Sequence, residues 1–279
     1  MQPFGNRLLD SMRSRGQLCV GIDPHAQLLA AWGLPDTVDG LADFCQIVVD
    51  AIGDQVAVFK PQSAFFERFG SRGTQILEST IRQLREAGSI VLLDVKRGDI
   101  GSTMSGYADA YLNPSSPVYV DAITATPYLG VGSLAPAFDL AHKYGGGVFV
   151  VTLTSNKEGP SVQHARLADG RTVAQSIIDE ISQLNAGSEG LGRIGLVVGA
   201  TIGETGHDLS GVGGPILVPG LGAQGGRPSD LLKIFPGDRS ALVPSYSREV
   251  LGAGPNLQSL RTATFRLIDE LRSTLGPHE

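Results

Sequence analysis

The chain has 279 residues, 42% hydrophobic and 18% charged, with a formal net charge of −6. That balance suits a compact fold with a sizeable core, and the even spread of charge argues against nucleic-acid or anionic-membrane partners. No apolar run reaches the ~18 residues a membrane span needs, residues 1–15 show no signal-peptide pattern, and Cys19 and Cys45 show no CxxC spacing. A cytoplasmic protein with reduced, buried thiols is expected.

Short apolar, β-rich runs alternate with longer amphipathic segments. In chain order the runs are QLCVGID (17–23), QVAVFKP (55–61), SIVLLDVK (89–96), VDAITATP (120–127), GGVFVVTLTS (146–155), RIGLVVGAT (193–201), GPILVPG (214–220) and SALVPSYS (240–247). Most are apolar at consecutive positions, as strands buried on both faces are. Helical patterns fall between them at 74–88, closed by Gly88, and at 173–185. A third covers 257–276, with Leu257, Leu260, Phe265, Ile268 and Leu271 as its apolar stripe. Residues 202–213 are Gly-rich and only weakly helical. Strand–helix alternation of this kind predicts one (β/α)8 TIM barrel over residues 1–279, close to the ~250 residues typical of that fold. A doubly wound open sheet would want a glycine-rich turn after the first strand, and GIDPHA (21–26) has none.

In a barrel, catalytic groups come from the C-terminal ends of the strands. Those ends carry Asp23, Lys60, Asp94 with Lys96, Thr126, Ser155, Gln224 and Arg248. Strand alternation predicts Asp94 and Lys96 on one face with Val95 turned away. Alone, an Asp–Lys pair is usually structural, Asp23 before Pro24 reads as a helix cap, and Lys60 before Pro61 as a loop residue. Together, Lys60, Asp94, Lys96 and Asp99 need a reason, because a buried ion costs several kcal/mol unless well paired. Two unit charges ~4 Å apart interact by about 4 kcal/mol at an effective dielectric near 20, so an alternating row compensates itself. Such a row is a preorganised field in which flanking carboxylates keep Lys96 an ammonium.

Glycines at 220, 222, 225 and 226, ahead of a helix beginning near Ser229, offer backbone N–H groups to an anion. Loops after the seventh and eighth strands are where barrels hold phosphate, and Arg248 adds a two-pronged charged contact there. The five histidines are scattered without metal-ligand spacing and receive no role.

With DVKRGDIGST (94–103), FKP (59–61), GID (21–23) and PGLGAQGG (219–226) in place, the chain resembles the orotidine 5′-monophosphate decarboxylase family. TPYLG (126–130) and GLVVGATIGE (195–204) resemble its longer, bacterial-type branch. The resemblance implies decarboxylation of orotidine 5′-monophosphate to UMP and CO2 in pyrimidine synthesis, with no cofactor and no metal. It implies that Lys60, Asp94, Lys96 and Asp99 form a charged tetrad with Lys96 as proton donor to C6. It places Asp23 on the ribose, Ser155 or its neighbour Thr154 on the pyrimidine edge, Gln224, Gly225 and Arg248 on the phosphate, and Pro219 with Leu221 beside the base. Asp99 and Thr103 are expected to enter a neighbouring site across a homodimer interface. Closure is expected of 220–226 and of the polar 156–172 segment. Glu249 departs from the family pattern, which favours a small residue there.

Two alternatives stand beside this reading. A sugar-phosphate decarboxylase or aldolase of the same superfamily shares DxKxxD but holds Mg²⁺ with a further acidic ligand, for which Glu67 is the candidate. A non-catalytic nucleotide-phosphate binder is the other, although a binder gains little from Asp94 facing an anion.

Overall fold

A computed structural model of the protein describes residues 2–276. Residues 1 and 277–279 of the expected domain lie outside the described residues. The strands are β1 (Cys19–Ile22), β2 (Val58–Pro61), β3 (Ile90–Arg97), β4 (Ala122–Ala125), β5 (Gly147–Leu153), β6 (Ile194–Val198), β7 (Ile216–Pro219) and β8 (Leu242–Tyr246). They pair in parallel in sequence order, and β8 pairs back onto β1, which closes the barrel.

The consecutive apolar positions of each strand divide between two cores. Val20, Phe59, Val91, Leu93, Ile123, Val148, Val150, Leu196 and Val218 face outward into the layer beneath the helices. Cys19, Val58, Ile90, Leu92, Ala122, Phe149, Val197, Leu217 and Val243 fill the barrel interior. Helix Phe4–Arg15 seals the N-terminal end by adding Phe4, Leu8 and Met12 to that interior, all buried. Each such side chain contributes about 1.5–3 kcal/mol through burial. Gly147 lets the Phe4 ring lie against the strand, since a Cβ there would come within 2.4 Å of it. On the same side Arg7 holds Asp121 at 2.8 Å, and Asp121 accepts the Val91 N–H at 3.0 Å.

The helix expected over 74–88 begins earlier, at Gly70, and ends at Glu86, with Gly88 in a left-handed turn beyond it (φ 84°). Helix Val173–Asn185 has its predicted bounds and is capped by Thr172. On helix Leu257–Leu275 the buried stripe is Leu260, Thr264, Leu267, Ile268, Leu271 and Leu275. Leu257 and Phe265, expected in the stripe, are exposed at 40% and 45%. Phe265 lies about 140° around the helix from Leu260 at 3.6 residues per turn, which turns it to solvent. The connection from Val198 to Ile216 carries no helix. Gly203, Gly206 and Gly213 take positive φ there, which breaks any helical run. No described helix is long and apolar enough to cross a membrane.

Candidate active site

Period-two alternation builds the site out of the interior core. Two residues beyond Val58, Leu92, Ala122, Phe149, Val197, Leu217 and Val243 stand Lys60, Asp94, Thr124, Val151, Gly199, Pro219 and Ser245. All seven line one cavity of about 250 Å³ at the C-terminal end of the barrel. Along these seven strands the inward face thus passes from apolar core to cavity wall, with Val197 and Leu217 belonging to both.

Simple alternation stops at Asp94. Leu93 pairs with Ile123, but the next pairing on that edge is Arg97 with Ala125, so β3 bulges by two residues against β4. Lys96 sits in the bulge with φ 44°, the one described non-glycine residue with positive φ. This left-handed backbone costs about 1–2 kcal/mol, and the surroundings must hold it in place. Lys96 N–H donates to Thr124 Oγ1 at 2.9 Å, and Thr126 Oγ1 donates to the Lys96 carbonyl at 3.2 Å. Asp94 and Lys96 do face the same point, as expected, and Val95 is buried away from it. The bulge, not an unbroken strand, brings the lysine there.

Asp94 is the centre of the charged group. Its Oδ2 accepts from Lys60 Nζ at 3.3 Å and Gln62 Nε2 at 3.0 Å. Its Oδ1 accepts from Lys96 Nζ at 2.6 Å and Thr124 Oγ1 at 2.8 Å. Burial by itself would raise the carboxyl pKa, but Lys60, Lys96 and these hydrogen bonds overcome it and hold Asp94 at about 2. For Lys60, burial favours the neutral amine, yet Asp94 and then Asp23 outweigh it and raise the pKa, so the ammonium persists. Cys19, beneath Lys60 in the barrel, is pushed up to about 12 by burial and stays a thiol. Dryness is uneven along the row. Lys60 and Asp94 side chains are 7% and 8% exposed, whereas that of Lys96 is 47% exposed toward the cavity.

The opposite wall is differently made. Leu221 pairs with Gly226; Gly220 just before this turn and Gly222 and Gly225 within it have φ 102°, 71° and 99°. The expectation that these glycines leave their N–H groups to an anion is corrected for three of the four. Gly222 donates to Gly226 at 2.8 Å, Gly225 to Gly222 at 2.8 Å and Gly226 to Gly220 at 3.0 Å, because the turn needs those bonds to close. Helix Pro228–Ile234 follows, as the sequence implied. The Arg248 side chain is exposed at the rim and makes no hydrogen bond or ion pair among the described residues. Glu249, which departs from the family pattern, pairs with Arg266 at 3.3 Å and does not line the cavity, although its side chain packs against Gly222 of the turn.

Asp23, Lys60, Asp94, Lys96, Ser155, Pro219, Leu221, Gln224 and Arg248 all line the cavity. Asp99, Thr103 and Gly225 do not. Asp99 Oδ1 accepts from the Ile100 N–H at 2.8 Å, Thr103 is exposed on the next helix, and Gly225 faces solvent at the turn's tip. Gln62, Thr124, Ser245 and Ser247 also line the cavity and were not singled out from the sequence. The same two-residue step that marked Lys96 would have found Gln62 after Lys60. Asp23 Oδ1 and Ser247 Oγ are buried polar atoms with no hydrogen-bond partner among the described residues. Thr154 is engaged by Gln163 at 2.6 Å and Asn156 at 2.7 Å, whereas no hydrogen bond occupies the Ser155 hydroxyl among the described residues. The 156–172 segment is tied to the next connection by Thr172 and His207 at 2.7 Å and by an edge-on contact between the His164 and His207 rings.

A charged, strand-borne cluster at one end of the cavity and a glycine turn with a free arginine at the other define a (β/α)8-barrel enzyme for an anionic substrate. The model of the orotidine 5′-phosphate decarboxylase / HUMPS family matches residues 16–263, and the chain belongs to that family. It is 65% identical over 275 residues to an orotidine 5′-phosphate decarboxylase of Salinispora arenicola, covering 99% of both chains. A Streptomyces avermitilis crystal structure described as the same enzyme is 54% identical, with TM-score 0.96 over 99% of this chain and 96% of that one. The OMP decarboxylase structure of Leishmania donovani is 31% identical, with TM-score 0.77 over 98% of this chain and 99% of that one.

Proposed function

We propose that this protein decarboxylates orotidine 5′-monophosphate to UMP and CO2, as the last step of UMP synthesis, without a cofactor. The observation that carries the reading is the Lys60–Asp94–Lys96 cluster facing one cavity, in a chain whose relatives share the name of that activity.

Loss of CO2 leaves a carbanion at C6 of the pyrimidine, with no ketone from which a lysine imine could form. The protein then has to supply the stabilisation as fixed charge. Lys96, exposed to the cavity while held at 2.6 Å from Asp94, is the cation at the developing charge and the acid that quenches it. The four donors on Asp94 favour its role as an anchor for both lysines over a role confined to repelling the substrate carboxylate. The unpartnered Asp23 Oδ1 suits a ribose hydroxyl, and the unengaged Ser155 hydroxyl suits the pyrimidine edge better than Thr154 does. Gln224 and Arg248 take the phosphate. Its binding energy, remote from C6, closes 220–226 and 156–172 over the base.

The enzyme is a cytoplasmic homodimer in this reading, and Asp99 with Thr103 completes the partner's site. Both residues lie outside their own chain's cavity. Neighbouring loops expose Ile100 at 63%, Tyr128 at 79% and Leu129 at 53%, an apolar surface that a second copy would cover. Mixing Lys96→Ala with Asp99→Ala chains tests this: hybrids regain a fraction of wild-type turnover if sites are shared, and stay as inactive as either parent if they are not. The Mg²⁺-dependent sugar-phosphate alternative is not favoured. Glu67, its candidate ligand, is bound by Ser63 at 2.6 Å and Arg97 at 2.7 Å and does not line the cavity. Loss of orotidylate absorbance in the presence of EDTA is the direct assay. Unchanged absorbance would remove the proposal, and UMP binding without turnover would favour a mere binder.

A further inference from the structure

Lys96 occupies a backbone conformation that its own sequence does not favour, and the contacts that impose it come from β4. Four residue steps along β3, from Leu93 to Arg97, span what β4 covers in two, from Ile123 to Ala125. The surplus takes Lys96 out of the strand ladder, so its N–H needs another acceptor. Thr124, 1% exposed between those two β4 residues, supplies it. A hydroxyl has one proton to donate and lone pairs to accept with. Thr124 Oγ1 donates to Asp94 Oδ1 at 2.8 Å and accepts the Lys96 N–H at 2.9 Å. Donation to a carboxylate fixes the direction of the hydroxyl proton, which leaves a lone pair aimed at the amide. Asp94 Oδ1 in turn receives Lys96 Nζ at 2.6 Å. One hydroxyl therefore closes a ring through the lysine backbone, the lysine ammonium and the aspartate.

We propose that Thr124 is a positioning residue for the decarboxylation, holding Lys96 in its left-handed conformation and Asp94 in its rotamer before substrate arrives. It touches the reacting atoms only through Lys96 and Asp94. A valine cannot replace it although the shapes match, because the methyl leaves the Lys96 N–H without an acceptor and removes one donor from Asp94. The bulge then relaxes toward ordinary β geometry, and the ammonium is displaced from the point at which C6 must be protonated.

This inference rests on the decarboxylase reading, and its test separates the two. Thr124→Val is expected to lower kcat by ~100-fold, the loss that ~1 Å of misplacement costs a catalytic group, with KM within about threefold and thermal stability near wild type. Thr124→Ser keeps the hydroxyl and returns kcat to within about threefold of wild type. If Thr124→Val does not fold, Thr124→Ala carries the same comparison against Thr124→Ser. Full kcat in the hydroxyl-free variant, or a loss that Thr124→Ser fails to restore, overturns the inference. A crystal structure of the hydroxyl-free variant decides independently of activity. Lys96 at negative φ supports the positioning role, and Lys96 unmoved at positive φ refutes it. Should wild type fail to release CO2 from orotidylate, the activity reading falls while this structural arm still judges Thr124.

Discussion

The two ends of the cavity differ in what is finished before a ligand arrives. At the charged end, Asp94 has all four of its donors from strand-borne or strand-adjacent side chains, and Lys60 is almost fully buried. At the other end the Arg248 side chain stands exposed with no partner among the described residues, and the glycine turn is bonded to itself. The contrast follows from solvation. Buried ions must be compensated within the protein, since leaving one unpaired costs several kcal/mol. An exposed guanidinium is stabilised by water and can wait for its anion at little cost. Fixed charge thus gathers where the reaction develops charge, and mobile charge where binding energy is collected.

Substitutions that strike one end and spare the other sharpen this contrast. The largest effect is expected from Lys96→Ala, with kcat reduced by about 10⁴-fold, the upper range for a proton-transferring group, while UMP affinity stays within about tenfold. Retention of roughly a tenth of wild-type kcat would break the assignment of Lys96 as the acid. Arg248→Ala comes next, lowering kcat/KM by about 100-fold through loss of charged hydrogen bonds to phosphate, with KM carrying most of the change. An unchanged kcat/KM would mean that the phosphate is held elsewhere.

The smallest effect concerns acid stability. Asp94 titrates near 2 in the fold against 3.8 for the free group, so its ionised form stabilises the folded protein above roughly pH 4 and that contribution is lost as pH falls toward 2. The shift corresponds to about 2 kcal/mol. Urea unfolding across that window should show wild type losing about 2 kcal/mol more than Asp94→Asn. Parallel curves would show that the charged end is not electrostatically closed on Asp94.

Much of this was legible in the chain itself. Consecutive apolar positions marked strands buried on both faces, and the barrel and its eight strands follow the expected runs. Lys60, Asp94, Lys96, Ser155 and Arg248, expected from strand ends, all line one cavity; alternation accounts for Lys60 and Asp94, whereas a bulge brings Lys96 there. The exposed Phe265 escaped because an apolar residue reads as core until its helix is seen docked. Thr124 escaped because a lone threonine in ITATP (123–127) has ordinary β propensity and nothing local to mark a hydrogen bond to β3.

The sequence by itself determined the layered barrel and the chemical identity of the charges at its mouth, since both depend on short-range periodicity and residue type. Only the tertiary structure decided that β3 bulges against β4, that Lys96 turns left-handed on Thr124, that the glycine turn closes on itself and that Glu249 faces Arg266. Each of those except the local closure of the glycine turn depends on which segments meet across the fold. That pairing is selected by burial and hydrogen-bond satisfaction over the whole molecule, and no local stretch of sequence encodes it.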